Sequence, residues 1–303
     1  MLLVRSLLDP AIASGAELGF GFGLVLVGAV AAAVEQDRAA DGDIEWEFDA
    51  TAGTEIVTVV AAAGVTNGLS VHAGLGPVLA SAFVGLVTGL WLPEEDTAAY
   101  CGSFVGMVSP AVFPTVTPVL VAGLITGLGF VAARETFSGF GGKLGTLALF
   151  GCLVAGSVAG ADYATTTELA WSSAVFVVPV TVIGAVATVV ASRRLDLGPV
   201  VASALVGLVA GAILPVVVPD IGGLLAAAAF CASFVGMSST GRLGDIPVTA
   251  IAGFLCGFVF VAVSPAFAGA GGKLGTTAFI ACVTLFGAEE LRSWGGASVS
   301  EAP

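Results

Sequence analysis

Apolar runs of about 18 residues or more, almost free of charge, follow one another along most of this chain, and short clusters of Gly, Pro and charged residues separate them. A helix rises about 1.5 Å per residue and the hydrocarbon core of a bilayer is about 30 Å thick, so runs of this length predict membrane-spanning helices. The first covers roughly Gly15 to Val34, and an acidic loop from Glu35 to Glu55 follows it. Pro, Gly and charge then bound five segments at roughly 56–72, 77–93, 98–109, 117–133 and 143–160, and five more at roughly 170–192, 198–216, 223–239, 247–264 and 273–290. The third of these is short and ends before Pro110, Pro114 and Pro118, which leaves a spanning helix and a re-entrant half-helix both open to it.

The two sets of five repeat one another. Leu75–Pro93 matches Leu197–Pro215, Cys101–Met107 (CGSFVGM) matches Cys231–Met237 (CASFVGM), and Phe137–Cys152 (FSGFGGKLGTLALFGC) matches Phe267–Cys282 (FAGAGGKLGTTAFIAC). Between Thr97–Gly160 and Ala227–Glu290, at a constant offset of 130, 25 of 64 positions are identical, far above chance for unrelated helices. The expected fold is therefore an all-α polytopic membrane protein of about 11 helical segments, one N-terminal helix plus two homologous five-helix repeats. In these terms residues 1–55 hold the first helix and the acidic loop, 56–163 the first repeat, 164–291 the second, and 292–303 a polar tail.

An odd number of spans per repeat places the two copies upside down relative to each other, so five spans predict inversion. Cytoplasmic loops are rich in Lys and Arg. With the N-terminus outside, Arg38, Arg134, Lys143, Arg193, Arg194, Arg242 and Arg292 fall on the cytoplasmic side, and only Arg5 and Lys273 outside. Many of the 43 glycines lie inside the apolar runs at small-xxx-small spacing, as in Gly85 with Gly89, Gly123 with Gly127 and Gly253 with Gly257. Lipid is as apolar as Leu, so helices in a bilayer associate by close backbone contact, and glycine permits it.

Composition narrows the partners. Of 303 residues 57% are hydrophobic and 10% charged, against about 25% charged in an ordinary soluble domain. The 22 acidic residues outnumber 9 Lys and Arg, for a net charge of −13, which with the scarcity of Lys reads as the habit of a halophilic archaeal protein; a single acidic loop on an otherwise uncharged protein is the plainer alternative. No basic stripe is present to bind nucleic acid. Five cysteines sit in apolar runs with no CxxC and a single histidine, His72, so neither a disulfide framework nor a metal site is expected, and no cofactor. The stretch around Arg5, Asp9 and Pro10 does not have the form of a cleavable signal peptide.

Two motifs carry the candidate chemistry. G-x-G-G-K-L-G-T occurs at Gly139–Thr146 and again at Gly269–Thr276, with the chain's only lysines, Lys143 and Lys273. It predicts a glycine turn opening a helix where a Lys and the positive helix end coincide, a setting that favours an anion. Nucleotide hydrolysis is excluded, because Leu144 and Gly145 intervene between Lys143 and Thr146. The lysines and Thr146 and Thr276 belong either to a pathway or gate, or to a plain helix start whose Lys snorkels to the headgroups. In C-x-S-F-V-G-M, Cys101, Ser103, Cys231 and Ser233 are small, weakly polar groups on a short helix, the place where repeat-built transporters hold substrate, and equally residues that simply pack. Intramembrane acids are almost missing, with Glu17, Glu289 and Glu290 interfacial, and the 19 Phe are scattered without forming a cage.

These features favour a multi-pass cell-membrane transporter or channel for a small solute or ion, with its path between two pseudo-symmetric repeats and lined by their third and fifth segments. In span number the plan resembles transporters with two inverted five-helix halves; no residue carries over from that resemblance. The alternative is a non-transporting membrane scaffold or a subunit of a larger membrane complex, and association into a homo-oligomer fits either. An intramembrane enzyme ranks last, for want of His, paired acids or a metal set, and no catalytic residue is nominated.

Overall fold

The structure, a computed structural model, describes residues 15–40, 50–163 and 169–300. Arg5, the middle of the acidic loop (41–49) and the last three residues of the tail lie outside the described residues. Twelve α-helices and no strand occur among the described residues. They are α1 (Gly15–Ala40), α2 (Ala50–Val71), α3 (Gly76–Trp91), α4 (Asp96–Gly106), α5 (Val116–Ala132), α6 (Lys143–Ala159), α7 (Ala174–Arg194), α8 (Pro199–Val217), α9 (Gly222–Gly236), the single turn α10 (Thr240–Leu243), α11 (Ile246–Ala262) and α12 (Lys273–Ser300). Each expected segment is thus a helix; α10 was not foreseen, and helix extends into stretches expected as the acidic loop (35–40 and 50–55) and the polar tail (292–300). Pro77, Pro199 and Pro247 stand in the first turns of α3, α8 and α11, where a missing N–H costs nothing. Gly160, left-handed, closes α6.

Four helical stretches among the described residues are long and apolar enough to cross a membrane: Ala50–Val71, Trp171–Arg194, Pro199–Val217 and Lys273–Trp294. The stretch Phe20–Gln36 of α1 and the helices α3, α5, α6, α9 and α11 are apolar over 10–17 residues, shorter than the roughly 20 that one perpendicular crossing needs. Large apolar side chains face outward along most of them, among them Val57, Trp91, Val158, Val175 and Val216. Water would penalise such a surface, and lipid would not. The interior holds Ala, Gly, buried Ser and Thr, and a few rings.

Helices meet where a glycine lets backbones touch. α4 and α5 lie on α2, with Gly106 against Ala63 and Thr66, Gly123 against Val60, and Gly127 against Ile56. On α7, Gly236 of α9 meets Ala185 and Thr188, while Gly253 and Gly257 of α11 meet Val182 and Val178. Two helix pairs join the first set to the second. α3 and α8 run antiparallel, with Gly89 beside Val201 at one end and Gly211 beside Leu79 at the other. α6 and α12 cross at their first turns, also antiparallel: Gly145 meets Gly275, Gly142 meets Phe279, and Gly272 meets Leu149. A Cβ at Gly145 would lie 2.5 Å from Gly275 Cα, so neither position has room for one. α1 packs along α12 through Gly287 and Val27. At its end buried Glu35 accepts both arms of the Arg242 guanidinium (2.5 and 3.1 Å), which also lies over the Phe140 ring.

A side chain at Gly102 would overlap the Val59 carbonyl, whereas Gly68, also helical, has nothing near its Cβ direction. Gly102→Ala is expected to lower stability by about 1–3 kcal/mol, and Gly68→Ala to leave it unchanged or raise it by up to about 1 kcal/mol. Thermal unfolding of the two variants in detergent checks the contrast.

Candidate functional site

The glycine loops that precede α6 and α12 fold alike, residue by residue. Phe137 and Phe267 both have positive φ (52° and 50°), a strained conformation for a bulky residue. Gly139 and Gly269 (both 79°) and Gly142 and Gly272 (83° and 79°) are left-handed, and each loop delivers a Lys at the first helical residue. Backbone bonds dock each loop on the chain just beyond a short helix: Ser239 N–H donates to Gly139 O (2.9 Å) and Ser109 N–H to Gly269 O (2.8 Å). Gly141 N–H donates to Ser238 Oγ (2.9 Å), and a Cβ on Gly271 would lie 2.6 Å from the Phe104 and Val105 carbonyls. The loops therefore fix the ends of α4 and α9, which carry the central rings.

Those rings form one cluster. Phe104 lies 4.7 Å from Phe234 between centroids, Tyr100 4.5 Å from Phe104, and Phe230 4.7 Å from Phe234. Beneath them runs a chain of hydroxyls: Tyr100 Oη to Ser203 Oγ (2.9 Å), Ser203 Oγ to Ser233 Oγ (2.7 Å), and separately Ser81 Oγ to Ser103 Oγ (2.8 Å). Ser103 and Ser233 also donate to their own helices, at Tyr100 O and Phe230 O.

Two cavities adjoin this cluster. One, of about 270 Å³, has Lys143, Arg134, Glu55, Thr97 and Met237 in its wall; the other, of about 180 Å³, has Lys273, Met107, Pro77 and Val78. Among the described residues Phe104 and Phe234 alone line both. Most remaining positions correspond: Lys143 with Lys273, Leu144 with Leu274, Gly139 with Gly269, Met237 with Met107, Pro199 with Pro77. Each ammonium also closes off a helix end. Lys143 Nζ donates to Ala133 O (2.5 Å) and Arg134 O (2.8 Å) past the end of α5, and Lys273 Nζ to Ser264 O (2.6 Å) past the end of α11. Carbonyls at a helix C-terminus carry the negative end of the dipole, so a cation is well placed.

No protein-family model matches the chain, and neither a curated protein nor a solved structure does. The geometry alone carries the reading.

Of the residues singled out in the sequence, Lys143 and Lys273 line the cavities. Cys101 and Cys231 are wholly buried and donate to Leu144 O (3.4 Å) and Leu274 O (3.0 Å), tying α4 to α6 and α9 to α12. Cys231 also lies 3.7 Å from Cys256. Ser103 and Ser233 are wholly buried in the hydroxyl chain, and Thr146 and Thr276 bond back to Gly142 O and Gly272 O (3.2 Å each). These six side chains hold the walls and do not line either cavity. Sequence reasoning passed over Phe104, Phe234 and the cluster around them. The signal was present, since both Phe belong to the matched S-F-V-G-M and Tyr100 and Phe230 occupy its matched flank.

Ser203→Ala strips the Tyr100 hydroxyl of its partner inside the core, at an expected cost of about 1–3 kcal/mol. Adding Tyr100→Phe, the residue found at matched position 230, should restore most of it, because the tyrosine hydroxyl is then gone and Ser233, which loses Ser203, still donates to Phe230 O. A double-mutant cycle by thermal unfolding measures the coupling.

Proposed function

We propose that this chain is an integral membrane transporter or channel for a small solute or ion. Its path runs through the two cavities between two homologous, inverted halves. The single observation that carries this reading is the pair of corresponding cavities whose shared wall, among the described residues, is Phe104 and Phe234. A closed conduit needs an entrance on each side and one barrier between them, and two repeats of opposite orientation supply that. The antiparallel course of α3 against α8 and of α6 against α12 supports inversion, since these are the matched helices.

Contacts between loops support the eleven-span topology with the N-terminus outside and the C-terminus inside. Arg134 pairs with Glu55 (2.5 Å), Gly139 with Ser239, Arg242 with Glu35, and Arg193 donates to Ser238 O and Gly244 O (2.7 Å each). Every one of these contacts joins segments that the topology assigns to the cytoplasm, and Arg134, Lys143, Arg193 and Arg242 gather there in keeping with the positive-inside tendency. Ser109 and Gly269, which also touch, both fall outside. The short α4 and α9 end at the rings, as half-helices at the midplane of repeat-built transporters do.

In sealed right-side-out vesicles, a cysteine placed at exposed Asp220 is expected to react with a membrane-impermeant maleimide, and one at exposed Leu195 only after permeabilisation. The five native cysteines are buried and stay silent. Labelling of both sites from one side would contradict the inverted topology. Purified protein in proteoliposomes is expected to pass at least one small solute faster than protein-free vesicles. Co-purification with a fixed partner and no flux of any solute would favour the scaffold instead.

A further inference from the structure

We infer that the solute is a small monovalent inorganic anion of the halide or nitrate class, held in turn beside Lys143 and Lys273. This rests on the conduit reading above and names what passes. The chain as a whole carries a net charge of −13, yet among the described residues the charged side chains in the wall of each cavity sum to one positive charge, and Glu135, the carboxylate that acts most on Lys143, stands outside that wall. In the wall of the larger cavity stand Arg134, Lys143 and Glu55, and Glu55 is already bound by Arg134 at 2.5 Å. The smaller has Lys273 and, among the described residues, no carboxylate. Among the described residues neither lysine makes an ion pair. An ammonium has three N–H donors. Lys143 directs two at backbone carbonyls and Lys273 one, so each retains donor capacity beside its cavity.

Isolated cations are costly away from water, and carbonyl dipoles offset only part of the loss; a mobile anion in the adjoining space completes the compensation. Cation selectivity would call for a ring of carboxylates, and among the described residues Glu55, held by Arg134, is the one carboxylate in either wall. A multiply charged oxyanion is normally gripped by several Arg or backbone donors, whereas each cavity offers one unpaired charge. Volumes of about 180 and 270 Å³ exceed many times the roughly 15 Å³ that a single water requires, so a small ion can enter with part of its hydration. The Phe104–Phe234 pair between them excludes a continuous water column, as a hydrophobic constriction does.

The test uses the full chain in proteoliposomes, with uptake of chloride and nitrate measured beside that of rubidium and glycerol. Wild type is expected to pass the anions in preference to both others. Lys273→Met should cut anion uptake about tenfold or more, through loss of a unit charge at short range, and Lys273→Arg, which keeps the charge, should stay within about threefold of wild type. Monodisperse elution of each variant confirms that it is folded. Passage of rubidium or glycerol without chloride or nitrate would overturn the anion assignment and leave the conduit standing. Equal anion flux in wild type and both variants, or loss in both variants alike, would also overturn it, because charge would then not decide. Passage of none of the four solutes would overturn the anion assignment, and the conduit falls with it when no other small solute passes either.

Discussion

The crossing of α6 and α12 through Gly142, Gly145, Gly272 and Gly275 is the constraint on which the rest of the structure depends. Helix axes in ordinary contact stand 8–10 Å apart, and at this crossing no side chain separates the backbones. That approach brings the two glycine loops within reach of the opposite set, where they grip the ends of α4 and α9. The grip in turn sets Phe104 against Phe234. A larger residue at Gly145 would force the helices apart, and the cavity walls on either side of the rings would move with them.

Polar groups in the interior are spent on position. The serines near the rings bond each other, the tyrosine and their own helices, and the buried thiols reach carbonyls of α6 and α12. Such bonds need no water, which suits helices whose outer faces are apolar. The buried Arg242–Glu35 pair fastens α1 to the same assembly, with the guanidinium satisfied on three sides by Glu35, Ser138 O and the Phe140 face. Only the lysines combine a full charge, no ionic partner among the described residues and a place in a cavity wall.

Helix positions were legible in the sequence because Gly, Pro and charge punctuate the apolar runs; the glycine turn before Lys143 even marks the first residue of α6. Helix lengths were less so. The apolar run around Cys101 continues past Gly106, but the chain turns at Met107 so that Ser109 can pair with Gly269, a contact more than a hundred residues distant. Phe104 and Phe234 were invisible as a pair for the same reason. A phenylalanine in an apolar run says nothing locally, and the partner that gives it meaning lies 130 positions away. Ser103 and Ser233 were legible as unusual and not as wall-builders, because their partners Ser81 and Ser203 belong to another helix.

An experimental density map of the full chain in lipid nanodiscs tests the central claim most directly. The account predicts that the Lys143 cavity opens toward one leaflet and the Lys273 cavity toward the other, with the Phe104 and Phe234 rings in contact between them near the bilayer centre. Both cavities opening on one face, or lipid chains filling the space beside either lysine, would contradict it.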